Sequence, residues 1–204
     1  VIAGEEFVEQ EEMYFFRVDD KKQVKVALEK WQDQKVQVYT VGLDGKEPKR
    51  GMMMGKGKPA REAAIAFYFL RKRRTCDEVD FCRVDSRTGE VKVLINEVSK
   101  PFFNDDFFNV SLLNGGKDII WWSERSGFGH FYHYDGNGNL KNVITSGAWT
   151  AGQVMRIDEK NREIYFQAYG IVPGENPSYA KICKANIDGK GKVVMLTPEE
   201  ATHD

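Results

Sequence analysis

Ser126, His130 and His133 lie within eight residues of one another, flanked by Glu124 and Asp135, in the stretch GGKDIIWWSERSGFGHFYHYDGNGNLKNVITSG (115–147). A serine, two imidazoles and carboxylates are the materials of nucleophilic and acid–base catalysis, so the spacing has to be tested. A hydrolase nucleophile elbow needs G-x-S-x-G at a strand–turn–helix junction. The string Glu124-Arg125-Ser126-Gly127-Phe128 lacks the first glycine and any helical pattern after it, which makes Ser126 a turn residue. His130 and His133 are three apart on an alternating, strand-like segment and so face opposite sides, where they cannot share a metal ion. GMMMGKGKPAR (51–61) is one residue short of a phosphate loop and carries Gly57 where magnesium needs a hydroxyl. It reads as an inserted hairpin loop whose methionines could touch a partner. Cys76, Cys82 and Cys183 form no CxxC pair and read as free thiols. No catalytic residue, metal site or cofactor motif emerges.

The bulk composition narrows the class further. The 204 residues are 41% hydrophobic and 30% charged, with a net charge of −1, which suits a folded domain with a real core. The charge balance argues against a nucleic-acid partner, since the short basic run RKRR (71–74) is offset by acids elsewhere. No apolar run reaches the roughly 18 residues of a membrane-spanning helix. The chain opens at Val1 without a charged-then-apolar leader, as expected of an excised or mature piece. Asn109-Val110-Ser111 matches a glycosylation sequon, meaningful only in a eukaryotic secretory setting.

What must position these residues is a repeat. GHFYHYDGNGNLKNVI (129–144) and YAKICKANIDGKGKVVML (179–196) share alternating apolar residues, a turn spelling D-G-x-G, and a return strand. DEVDFCRVDSRTGEVKVL (77–94) repeats the shape, and MYFFRVDDKKQVKVAL (13–28) repeats it loosely at Asp19. Each is a hairpin, with glycine supplying positive φ and aspartate bonding its own backbone. A further strand pair precedes each of the three later hairpins: 36–42 with 64–72, 110–124 and 153–170. The turn residues Asp85, Asp135 and Asp188 are then spaced by 50 and 53 residues. Four-stranded units at this period are the signature of β-propeller blades. ALEKWQDQ (27–34) is the one helical candidate, and it is short. The expected fold is all-β: a partial propeller of four-stranded antiparallel blades, about three of them plus a hairpin. The expected boundaries are a blade end at 1–30, blades at 31–98, 99–147 and 148–198, and the start of another at 199–204. A closed ring needs about four to eight blades, so the chain reads as part of a larger propeller.

The motifs S-E-R-S-G-x-G-H-x-Y-x-Y-D (123–135), I-T-S-G-x-W (144–149) and G-x-x-P-G-x-x-P-x-Y (170–179) resemble the N-terminal β-propeller of the bacterial dipeptidyl peptidase IV family, of the prolyl-oligopeptidase type of serine peptidases. The resemblance runs through 77–204 and is weaker over 1–62; the 43–62 insertion belongs to no family pattern. It implies a propeller of about eight blades covering an α/β-hydrolase domain with a Ser-Asp-His triad. The implied substrates are peptides with a free N-terminus, cut after a second-position proline, in a periplasmic or secreted setting. In that family a glutamate pair binds the substrate ammonium; Glu5-Glu6, Glu11-Glu12 and Glu199-Glu200 do not sit in that motif, so the role is carried to none of them. The triad and the hydrolase partner domain are expected outside this chain, which by itself should hydrolyse nothing. SKPFFNDDFFNV (99–110) lies where the family has a substrate-lining loop, and the resemblance points to Phe102, Phe103 and Asp105 as substrate-binding residues. Two alternatives stay open. In one, these aromatics plug the seam between blades; in the other, the whole chain is a non-catalytic propeller scaffold for protein interaction. Self-association through exposed terminal blades is a further expectation.

Overall fold

Alternation of apolar and polar residues builds half-buried strands, and Asx–Gly turns fold them back on one another. The computed structural model describes residues 11–17, 20–31, 33–42 and 65–202. Asp19, Glu5-Glu6, His203 and the insertion at 43–62 therefore lie outside the described residues. Every sheet is antiparallel. The chain divides into two units, Val1–Phe103 and Asn104–Asp204.

The first unit pairs a hairpin, β1 (Tyr14–Arg17) with β2 (Lys22–Lys25), and a four-stranded sheet of β3 (Lys35–Gly42), β4 (Ile65–Lys72), β5 (Glu78–Val84) and β6 (Val91–Val98), in that order. Met13 and Phe15 pack with Val26, Leu28, Phe67, Phe69, Cys82 and Val84, while Tyr14 and Phe16 point to solvent. The segment after the hairpin is pinned by Ala27 N–H donating to the Gly89 carbonyl at 3.0 Å. Gly89 has φ +76° and a Cβ there would stand 2.0 Å from the Lys25 carbonyl oxygen, so only glycine fits. Among the described residues of 27–34 no helix forms: the Leu28 carbonyl accepts from Gln34 Nε2 and from Arg71 Nη1 instead. Beside it, the fully buried Asp80 carboxylate accepts from Arg71, Lys30 and Asn96.

The second unit holds two four-stranded sheets. One is β7 (Val110–Leu113), β8 (Asp118–Ser123), β9 (His130–Asp135) and β10 (Leu140–Val143), with a short 3-10 turn at Asn114–Gly116 between the first two strands. The other is β11 (Thr150–Asp158), β12 (Glu163–Tyr169), β13 (Ala180–Asn186) and β14 (Val194–Met195). They pack through Ile120, Trp122, Phe131 and Ile144 on one side and Ala151, Ile164, Phe166, Ala168, Cys183 and Ile187 on the other. The strict buried–half-buried alternation of β12 shows which face this is. Trp122 anchors the seam by donating from Nε1 to the Ala151 carbonyl at 2.7 Å. Burying a side chain of this size stabilises by roughly 2–3 kcal/mol. Trp121 points to the opposite face of the sheet, edge-on to Phe108 at 5.0 Å.

One turn assignment needs correction. Asp85 and Asp135 each accept backbone N–H groups inside their own turns, closed by Gly89 and Gly138 at positive φ. In the third hairpin Asn186 takes that role, accepting from Asp188 N–H at 3.0 Å, while Gly189 N–H bonds to the Asn186 carbonyl. Matching D-G-x-G strings therefore set Asp188 two residues out of phase. The true intervals, 85 to 135 and 135 to 186, are 50 and 51 residues. The carboxylate of Asp188 has been released from turn duty and pairs with Arg162.

Candidate functional site

An antiparallel four-stranded unit puts its connections at alternate ends. In the second unit, one end carries the tight turns 114–116, 136–139, 159–162 and 187–193. The other carries the longer connections 104–109, 124–129, 144–149 and 170–179. The longer loops hold the three sequence motifs and offer the chemically varied surface.

The 124–129 loop is built on its own strands. Arg125 donates from Nε to Ser123 Oγ at 2.9 Å and from Nη1 to the Tyr134 hydroxyl at 2.6 Å. Its guanidinium lies over the Tyr132 ring, 4.5 Å from the centroid, an attraction between cation and ring face. Arg125 is exposed although both tyrosines are buried, so a cationic side chain is displayed on a fixed platform. Ser126 Oγ bonds to the Phe128 carbonyl, Gly127 has φ +93°, and Phe128 is exposed: the serine is a turn residue, as expected.

His130 belongs to the same end and is a packing group. Its Nε2 lies 3.0 Å from the Gly147 carbonyl and its Nδ1 3.1 Å from Thr145 Oγ1. Thr145 accepts the Phe131 N–H and can give its own proton to Nδ1, so a neutral ring with the proton on Nε2 satisfies every atom. Burial moves the His130 pKa down, in agreement. No group of three or more candidate metal ligands occurs among the described residues.

The 170–179 loop is tied down by Lys181, whose buried ammonium pairs with Glu175 at 2.7 Å and also reaches the Glu199 carbonyl. Inside the 104–109 connection, Phe107 packs on Trp122 and Tyr169. Phe108 packs edge-on to Trp121, and Phe107 and Phe108 are both half-buried.

The three sequence-derived substrate residues are placed differently from one another. Phe102 is 61% exposed, while Phe103, the last residue of the first unit, is 6% exposed and donates its N–H to the Cys76 carbonyl at 2.7 Å. Asp105 is exposed in a turn that opens the second unit, where Asn104 Oδ1 accepts the Asp106 N–H. Arg125 and Phe128 were not singled out by type and spacing; the signal that marks them is their position inside the S-E-R-S-G-F-G string. A depression of about 770 Å³ in the first unit is lined by Arg83, Asp85, Arg87, Glu90 and Lys92. It lies at the 85–90 turn, the opposite end of that sheet from 73–77 and 99–103, and its mixed charges make a solvated turn surface.

Residues 19–204 match the family model described as the dipeptidyl peptidase IV (DPP IV) N-terminal region. The chain belongs to that family. The DPP IV assignment agrees with individual relatives. The crystal structure of Porphyromonas gingivalis dipeptidyl peptidase 4 superimposes with a TM-score of 0.72 at 17% identity, over 95% of this chain and 24% of that one. A dipeptidyl peptidase 4 of Arthroderma otae is 24% identical over 106 residues, 50% of this chain and 13% of its own length. The structural likeness shows a shared fold. This DPP IV N-terminal chain thus spans about a quarter of the solved relative and about an eighth of the curated one. No helix among the described residues is long and apolar enough to cross a membrane.

Proposed function

We propose that this chain supplies part of the substrate-gating propeller of a dipeptidyl peptidase IV-like serine peptidase, which removes Xaa-Pro dipeptides from peptide N-termini. The observation that carries the reading is the DPP IV family match over residues 19–204. A four-stranded architecture with its motif-bearing loops gathered at one end of the second unit supports it. In this reading the α/β-hydrolase domain of the same parent chain provides the triad. The loop ends provide apolar and charged contacts for an extended peptide, with Phe102, Phe103 and Asp105 among them. Phe102 is already open to a ligand, whereas Phe103 must act through the backbone or by turning out. A periplasmic or secreted setting follows from the same proposal.

The test is turnover of a Gly-Pro chromogenic amide by the parent protein carrying this chain. Release of the chromophore supports the proposal, and a parent that cleaves no N-terminal Xaa-Pro dipeptide overturns it. Phe102→Ala and Asp105→Asn in the active parent should each raise KM severalfold with little change in kcat, because uniform substrate binding is lost. Unchanged kinetics in both would remove these residues from the site while leaving the peptidase reading intact.

A further inference from the structure

His133 sits at the turn end of the second unit, fully buried, with a different environment from His130 three residues earlier. Its Nε2 lies 2.7 Å from Asp118 Oδ1 on β8. Its Nδ1 lies 3.1 Å from Asn142 Oδ1 on β10. The orientation of Asn142 is decided by the other end of its amide, where Nδ2 donates to the Ile187 carbonyl at 2.9 Å. Flipping the amide would set two oxygens against each other, so Oδ1 must face the imidazole. Gly189, at φ +71°, brings the next hairpin turn against the same amide and holds it there. Both ring nitrogens of His133 therefore face oxygens that can only accept.

A neutral imidazole has one donor and one acceptor nitrogen and would leave a lone pair pointing at an oxygen. We infer that His133 is a doubly protonated imidazolium that ties β8, β9 and β10 together, between Asp118 on one side and Asn142 on the other. The surrounding charges support a cation at this place. Asp118 also accepts from Asn114 Nδ2, Lys141 Nζ and Arg162 Nη1. Asp188, from the β13–β14 turn, lies 3.8 Å from His133 Nδ1 and is held bidentately by Arg162. The cluster thus faces His133 with two carboxylates and two cations, and it joins β8, β9 and β10 to the β11–β12 and β13–β14 turns. Loss of a ring proton would turn the attraction at Asp118 or Asn142 into a repulsion and weaken the tie across β8, β9 and β10.

The experiment uses the whole chain labelled with nitrogen-15 at histidine, read by long-range nitrogen–proton correlation at about pH 7. The His133 signals, assigned by their loss in His133→Gln, should show two equivalent protonated nitrogens, and the His130 signals one protonated and one bare. A single-tautomer neutral pattern at His133 overturns the inference.

Discussion

Asp118 is the buried acid at the turn end of the second unit. Burial disfavours the ionised Asp118, but hydrogen bonds from His133 and Asn114 and the charge of Arg162 outweigh it and hold the carboxyl well below its usual range. A depressed folded value means that the stabilisation is complete above the unfolded value of about 3.9 and is lost as the pH falls below it. We expect Asp118→Asn to cost about 2 kcal/mol at neutral pH, because a carboxylate that accepts from His133, Asn114, Lys141 and Arg162 is replaced by a neutral amide. Its melting temperature should also fall less steeply below about pH 4 than that of the native chain, which thermal melts across acid pH would check. Gly129 makes a separate point about volume. A Cβ there would stand 2.2 Å from the Trp122 ring, and that ring is fixed by its bond to Ala151. Gly129→Ala should therefore destabilise by about 2 kcal/mol in denaturant unfolding, with Trp122 fluorescence shifted as the ring is displaced.

At the scale of the element, the hairpin turns have distributed one set of residue types over different duties. Asn186 closes its turn as Asp135 does, whereas Asp188 is an ion-pair partner of Arg162. Asn186→Asp should then be nearly neutral, because either side chain offers an oxygen to the turn N–H groups. Asp188→Asn should cost about 1–2 kcal/mol by removing the charge that Arg162 holds. Equal effects in chemical denaturation would show that the turn is in phase with Asp188 after all. The sequence reading of Asp135 was sound because glycine and aspartate in a tight turn act locally. It failed at Asp188 because the same string, shifted by two, is equally acceptable to a turn. Only the neighbouring Arg162 decides which oxygen is spare.

For the whole molecule, the exposed apolar side chains of β1, Tyr14 and Phe16, and those around β14, Val194 and Leu196, are the natural places for a covering surface. We expect the isolated chain to self-associate with rising concentration in light scattering, and Phe16→Lys combined with Leu196→Lys to reduce that association. A native chain that stays monomeric up to high concentration would refute this. The loop end of the second unit, with Arg125, Phe128 and the 170–179 loop, is a different surface. Its occupancy by a peptide is to be read from kinetics of the parent protein.

The period-2 alternation and the turn residues are local properties, so the sequence by itself determined the all-β class and the four-stranded units. The same local logic placed Ser126 in a turn and separated His130 from His133 on opposite faces. It could not distinguish what those two imidazoles do. Their partners arrive from elsewhere in the chain: Gly147 is 17 residues from His130, and Asn142, which orients His133, is itself set by Ile187, 45 residues away. Likewise, the aromatic segment 99–110 could be read as ligand-facing or as plugging a seam. Only packing decided that Phe103 is buried, that Phe107 and Phe108 are half-buried against Trp122 and Trp121, and that Phe102 faces solvent. Strand formation depends on near neighbours in sequence. The protonation and exposure of a particular side chain depend on atoms that folding alone brings within 3–4 Å.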